Sequence, residues 1–130
     1  MFSDKITRLI CFSSIRTNLL MWAHYAGGHA GICLRFRIRY GKSFCSVKQV
    51  SYSDSCPLID LFHDKEADII EKSMLWKSRM WKYEKEWRLI LHNVTDQYYS
   101  FEPTDLEGVI FGCEMSKQSR DDAFALMISR

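Results

Sequence analysis

Residues Gly31 to Tyr40 constrain this chain more than any other stretch. Ile32, Leu34, Phe36, Ile38 and Tyr40 alternate with Cys33, Arg35, Arg37 and Arg39. Successive side chains of a strand point to opposite faces, so the alternation predicts a half-buried strand with one apolar and one basic face. Such a strand needs a sheet. Gly41-Lys42 suits a turn, and Phe44 to Tyr52 is the predicted partner strand. Thr7–Phe12, Glu86–His92, Tyr98–Phe101 and Leu106–Phe111 read as further short strands.

Helical signals lie between them. Thr17 or Asn18 can cap a short helix over Leu19–Ala26, and Gly27-Gly28 ends it. Ile59 to about Lys82 reads as a long central helix, with Ile70, Met74 and Trp81 on one face. Ser119 to Asp122 resembles a capping box, with Asp in the acidic place, that opens an apolar helix over Ala123–Ile128. The expected fold class is α+β: a mixed or antiparallel sheet of about five short strands, the long helix, and a short helix near each end. One domain over residues 1–130 is expected.

Composition narrows the function classes. The net charge is only +2 and 47% of residues are hydrophobic, which fits one globular core and demands neither nucleic acid nor an anionic membrane. The five cysteines form no C-x-x-C pair, and no Cys or His spacing suits zinc, so no metal is expected. With no apolar run of spanning length and no recognisable leader, the expectation is a cytoplasmic protein with reduced thiols and no membrane partner.

Three groups can carry chemistry. Lys77, placed on the predicted helix, falls inside its apolar stripe. Either its stem is buried and its head reaches water, or it is paired with a carboxylate in a site. Glu84, Glu86 and Arg88 share one face if a strand begins at Glu84. One carboxylate then pairs with Arg88 or Lys77, and the other can act as acid, base or acceptor for a hydroxyl. The bland alternative is an ion-pair network docking the helix end on the sheet. His24 and Tyr25 lie in the first helix and His29 follows the glycine pair. They can contact a polar ligand, or His24 can be a core histidine bonded to a carbonyl. Arg35, Arg37 and Arg39 form a basic stripe that can hold phosphate, although a solvated sheet face is the simpler reading, and nucleic acid is not expected.

Several motifs in order resemble a known family: CFS at Cys11–Ser13, NLLMWAHYA at Asn18–Ala26, HAGICLRF at His29–Phe36, KSRMWKYEKEWRLI at Lys77–Ile90 and GVIFG at Gly108–Gly112. The resemblance is to a large bacterial domain-of-unknown-function family, whose members lie often near mobile or defence-associated genes. It covers about residues 7 to 115 and places Trp22, His24, Tyr25, His29, Gly31, Lys77, Trp81, Glu84, Glu86 and Arg88 on motif positions, without roles. Members usually carry a further strand and turn before the CFS motif. The resemblance therefore implies a shortened N-terminus, an open sheet edge and completion as a homo-oligomer.

Two functional readings lead. The first is a non-catalytic or degenerate module that binds a partner or a small anionic or nucleotide-like ligand and oligomerises, with Ser13, Tyr25, His29, Lys77 and Arg88 at its site. It needs no cofactor. The second is an enzyme: the strand-borne E-x-E, the strand ending in serines and the His-Tyr helix resemble ADP-ribosyltransferases. That resemblance implies Glu86 as catalytic carboxylate, Glu84 as helper, Ser13 and His24 near the nicotinamide ribose, and NAD as cofactor. Nucleic-acid binding through the arginine stripe comes third.

Overall fold

A computed structural model describes residues 6–96 and 98–129. The class is α+β. In order, the elements are β1 (Ile6–Ser13), α1 (Leu19–Tyr25), β2 (Ile32–Phe36), β3 (Lys48–Gln49), β4 (Ser51–Ser53), α2 (Glu66–Met74), β5 (Trp76–Ser78), a 3₁₀ turn (Arg79–Glu84), β6 (Glu86–Val94), a second 3₁₀ turn (Pro103–Asp105), β7 (Leu106–Phe111) and α3 (Lys117–Ile128). The chain divides into two compact units: Met1–Ile15 with Ser43–Phe101, and Arg16–Lys42 with Glu102–Arg130.

In the first unit β6 is the central strand, antiparallel to β1 on one side and to β3 on the other. Its register sets Ser13 opposite Glu86, and Cys11 and Lys48 opposite Arg88. Period-two alternation then sends Glu86 and Arg88 to one face, and Trp87 and Leu89 to the other. Leu89, Phe44 and Val50 are buried. The Phe44 ring meets Phe12 edge-on at 5.1 Å and lies 5.9 Å from Tyr99 and 6.0 Å from Phe101. Each fully buried apolar side chain of this size stabilises by about 1.5–3 kcal/mol, so these few residues supply much of the unit's apolar stability. β4 and β5 form a separate parallel pair, Tyr52 opposite Lys77.

The predicted long helix over 59–82 is not formed; α2 spans only Glu66–Met74. Local chemistry explains both ends. The Asp60 carboxylate accepts from the backbone N–H groups of Phe62 at 2.9 Å and His63 at 3.2 Å, a side-chain turn that competes with helix. Beyond Met74, the Leu75 carbonyl accepts from Ser51 N at 2.7 Å and the Trp76 indole donates to Ser53 Oγ at 2.6 Å, which turns the chain into β5. Lys77 therefore lies on a strand, and the helical stripe invoked for it does not exist. Residues 44–52 are likewise not a partner for β2. Lys48–Gln49 joins β6 instead, and Ser51–Ser53 joins β5. Residues 98–101 form no strand.

In the second unit β2 pairs with β7, antiparallel. It stops at Phe36, where the register shifts and Arg37 N turns to the Asp105 carbonyl at 2.8 Å. The alternation thus outlasts the strand, and Ile32 and Leu34 are exposed. α1 is capped as its sequence predicts: Asn18 Oδ1 accepts from Leu20 N at 2.9 Å and Met21 N at 3.2 Å. Gly27 and Gly28 both take positive φ beyond it. α3 begins earlier than expected, with Ser116 as N-cap accepting from Ser119 N at 3.1 Å. No helix among the described residues is long and apolar enough to cross a membrane.

Candidate functional site

The polar residues of the KSRMWKYEKEWR motif meet in the first unit. Lys77 arrives on β5, Glu84 at the end of the first 3₁₀ turn, and Glu86 and Arg88 on β6. Glu84 does not lie on the strand, because Lys85 takes φ of 45° between the turn and β6. The left-handed kink nevertheless leaves both carboxylates facing one ammonium. Lys77 Nζ donates to Glu84 Oε2 and, at 2.9 Å, to Glu86 Oε2. Of its two alternatives, Lys77 is the paired lysine. Arg88 donates through Nε to Glu86 Oε1 at 2.7 Å and through Nη2 to Oε2 at 3.2 Å, while its Nη1 bonds the Met74 carbonyl at the end of α2.

These groups are withdrawn from water. Glu84 is 2% exposed and Glu86 5%. Burial works to raise the Glu86 carboxyl, but hydrogen bonds from Arg88, Lys77 and Cys11 outweigh it and hold the pKa at about 2, against an ordinary 4.5. Burial works to lower Lys77, and its bonds to Glu84 and Glu86 reverse that, leaving it above the usual lysine range. The bond to Glu86 also raises Arg88. Cys11 is exposed as a residue, yet desolvation of its thiol, then the contact with Glu86, push its pKa up. It is a protonated thiol near neutral pH and a poor nucleophile.

The chemical consequence follows from counting acceptor sites. A carboxylate offers about four lone-pair positions. Glu86 accepts from Arg88 twice and from Lys77 once, so at least three of these positions are taken. A group held at about 2 is also a weak proton acceptor at neutral pH. Ser13 is similarly committed: its hydroxyl donates to the Glu84 carbonyl at 2.6 Å and accepts from Ile15 N at 3.1 Å.

Four contributors were not foreseen. Tyr52 Oη accepts from Glu86 N at 2.8 Å, the Met74 carbonyl accepts from Arg88, the Cys11 thiol reaches Glu86, and the Trp81 ring lies 5.0 Å from the Lys77 ammonium, a cation–π contact. Tyr52 ends the stretch predicted to pair with β2, and it pairs with β5 instead, so only the fold reveals its contact. The CFS motif did signal Cys11, although not its contact.

The residues of the NLLMWAHYA and HAGICLRF motifs lie in the second unit. His24 is exposed rather than a core histidine, because the helix carrying it has no buried side chain. Its ring stands 6.2 Å from the exposed Tyr25 ring. His29 is half-buried with φ of 71°, and its backbone is the ordered part: His29 N donates to the Trp22 carbonyl at 3.2 Å and its own carbonyl accepts from Glu114 N at 3.1 Å. Gly112 is packed so tightly there that an added Cβ would lie 1.9 Å from the His29 oxygen. Within this unit Glu107 bridges Arg35 at 3.2 Å and Arg37, and Arg39 bonds the Thr104 carbonyl at 2.9 Å, so the arginine stripe is largely tied to its own strand pair. Asp105 is fully buried beside them, and neither carboxylate oxygen has a hydrogen-bond partner. Among the described residues, no three His, Cys, Asp or Glu side chains group as a metal site.

No curated protein and no solved structure matches this chain. One family model does, over residues 21–89, from within NLLMWAHYA to within KSRMWKYEKEWRLI. That span is more than half of the chain, and the chain belongs to the family it describes, Protein of unknown function (DUF2971).

Proposed function

We propose that this chain is a non-catalytic binding module that oligomerises, with Lys77, Glu84, Glu86 and Arg88 acting as a structural polar knot. One observation carries the reading: Glu86 is bound three times over by Arg88 and Lys77 from within the chain. A carboxylate that must hold a ribose hydroxyl or take a proton needs a free lone pair or a pKa near the working pH. Glu86 has most of its lone pairs taken and a pKa of about 2. The Ser13 hydroxyl, turned onto the Glu84 carbonyl, supports the same view. The knot joins β5, β6 and the end of α2, which is the work of a scaffold. In this reading the thiols stay reduced in the cytoplasm and no cofactor is held.

A second reading keeps one observation in its favour. Ser13 stands directly opposite Glu86 in the strand register, which suits an ADP-ribosyltransferase-like site using NAD. A single experiment separates the two. The protein is incubated with labelled NAD, alone and with candidate acceptors, beside the Glu86→Gln variant, and thermal shifts are read with NAD and ADP-ribose. The module reading expects no transferred label and no shift. Label that appears with the native protein and disappears with E86Q overturns it.

A further inference from the structure

We propose that β1 is the surface through which the chain associates, pairing antiparallel with β1 of a second copy so that two three-stranded sheets join into one about a two-fold axis at Ile10. The inference rests on the binding-module reading and deepens it by naming the strand that makes the oligomer.

The sheet has two unlike edges. At one, β3 offers only Lys48 and Gln49, and the Lys48 ammonium holds Glu71 at 2.6 Å. A short strand carrying a lysine is a usual way to close an edge. At the other edge β1 runs over Ile6–Ser13, with no proline and one charged side chain, Arg8. Its bulge falls between Ile6 and Arg8, so the register of Arg8–Ser13 with β6 is regular.

That register tells which main-chain groups the edge presents. The Glu86 carbonyl accepts from Val50 N at 3.0 Å, so the main chain of Glu86 faces β3 and not β1. Ser13, opposite Glu86, is then a non-hydrogen-bonded position of the β1–β6 ladder. Counting back by twos, so are Cys11 and Leu9. Their N–H and C=O groups point outward, while those of Ile10 and Phe12 engage β6. Among the described residues no hydrogen bond reaches the main chain of Leu9 or Cys11 from the outer side. Leu9 is 37% exposed and Cys11 is exposed too, so the strand is open to an approaching chain. A row of outward amides and carbonyls is matched by another extended backbone, and neither a helix face nor a phosphate supplies both partners.

A second copy fits because β1 is its own complement in the antiparallel sense. With Ile10 beside Ile10 on the axis, Leu9 of each copy faces Cys11 of the other, and each such pair exchanges both of its main-chain bonds. Arg8 then faces Phe12, which sets the two like charges on opposite sides of the axis. A parallel pairing in register would put Arg8 against Arg8, which destabilises. The antiparallel pairing is isologous: it consumes both open edges and closes at two copies.

The test is sedimentation velocity on the full chain over a wide concentration range, with a reductant that keeps the exposed cysteines from cross-linking. Average mass should rise to twice that of the chain and stop there. Leu9→Pro removes an outward N–H and leaves the bonds to β6 in place, a position that an edge strand allows to proline. Leu9→Lys puts a charge on the same edge. Each variant, checked for folding by circular dichroism, should weaken association by about tenfold or more. Hydrogen exchange on the native chain needs no variant: the Leu9 and Cys11 amides should pass from fast to protected as concentration rises, whereas those of Ile10 and Phe12 are protected throughout. A native chain that stays monomeric overturns the proposal. So does growth beyond two copies, association that both folded variants leave intact, or association without protection at Leu9 and Cys11. The outcomes separate from the reading of Glu86: association through another surface sinks only the β1 pairing, a monomer that leaves NAD untouched removes association and keeps the non-catalytic knot, and label transfer sinks the module.

Discussion

Replacing Lys77 by Met removes the cation shared by two buried carboxylates while keeping the length of the side chain. Breaking a buried pair from one side costs about 3–5 kcal/mol. Two features reduce that here. The Lys77 side chain is 20% exposed, so water can partly replace it, and Arg88 still holds Glu86. About 2–4 kcal/mol is therefore expected, a large fraction of a small domain's stability. The acid limb gives an independent magnitude for the whole knot around Glu86. Its pKa falls from 4.5 to about 2 on folding, which at about 1.4 kcal/mol per pH unit is about 3–4 kcal/mol. A depressed carboxyl stabilises fully above its unfolded value, so this contribution is present at pH 7 and is lost as pH falls from 4.5 through about 2. The raised Lys77 is the same interaction seen from the other partner and is not added. The assay is urea unfolding followed by tryptophan fluorescence, since the Trp81 ring lies against the Lys77 ammonium, repeated at pH 7 and pH 3. The native protein should lose stability between the two, and K77M should lose less. A destabilisation by K77M within measurement error at pH 7, or an identical pH slope in both proteins, would refute the scaffold role.

Three further outcomes are expected. Tyr52→Phe removes the acceptor of the Glu86 N–H and should cost about 1–3 kcal/mol in the same titration, because a buried donor is left without it. Gly112→Ala puts a Cβ against the His29 carbonyl, a backbone atom that cannot step aside; Ala should be destabilising enough to lower soluble yield and broaden the amide spectrum of residues near His29, with normal yield and spectrum counting against the packing described. Asn18→Ala removes the cap of α1 and should cost about 1 kcal/mol, whereas Asn18→Ser should nearly restore it, read as midpoints of thermal unfolding.

Legibility in the sequence followed the range of the interactions. The first helix was readable because Asn18 and Gly27-Gly28 act within a turn of it. The pairing of Lys77 with Glu84 and Glu86 was also anticipated, although from a helix that does not exist. A buried cation needs an anion whatever backbone carries it, so the electrostatic expectation survived the wrong element. What failed was set by distant partners. Nothing within residues 59–82 announces that Leu75 will be held by Ser51 and Trp76 by Ser53, and those contacts override the helical propensity of the stretch. In the same way the alternation of Gly31–Tyr40 does not reveal that Asp105 captures Arg37 and ends the strand. Tyr52 and the Met74 carbonyl are contributors of this second kind.

The pairing of β1 with β6 has a consequence for how the chain is made. Ser13 and Glu84, joined at the edge of the knot, are 71 positions apart in sequence. At a synthesis rate of about 5–20 residues per second, β1 leaves the ribosome roughly 4–14 s before its partner strand exists. Closure of so long a loop is slow compared with local events. The nascent chain thus carries β1 with an unpaired edge for seconds, which makes that strand a segment in need of a chaperone's cover.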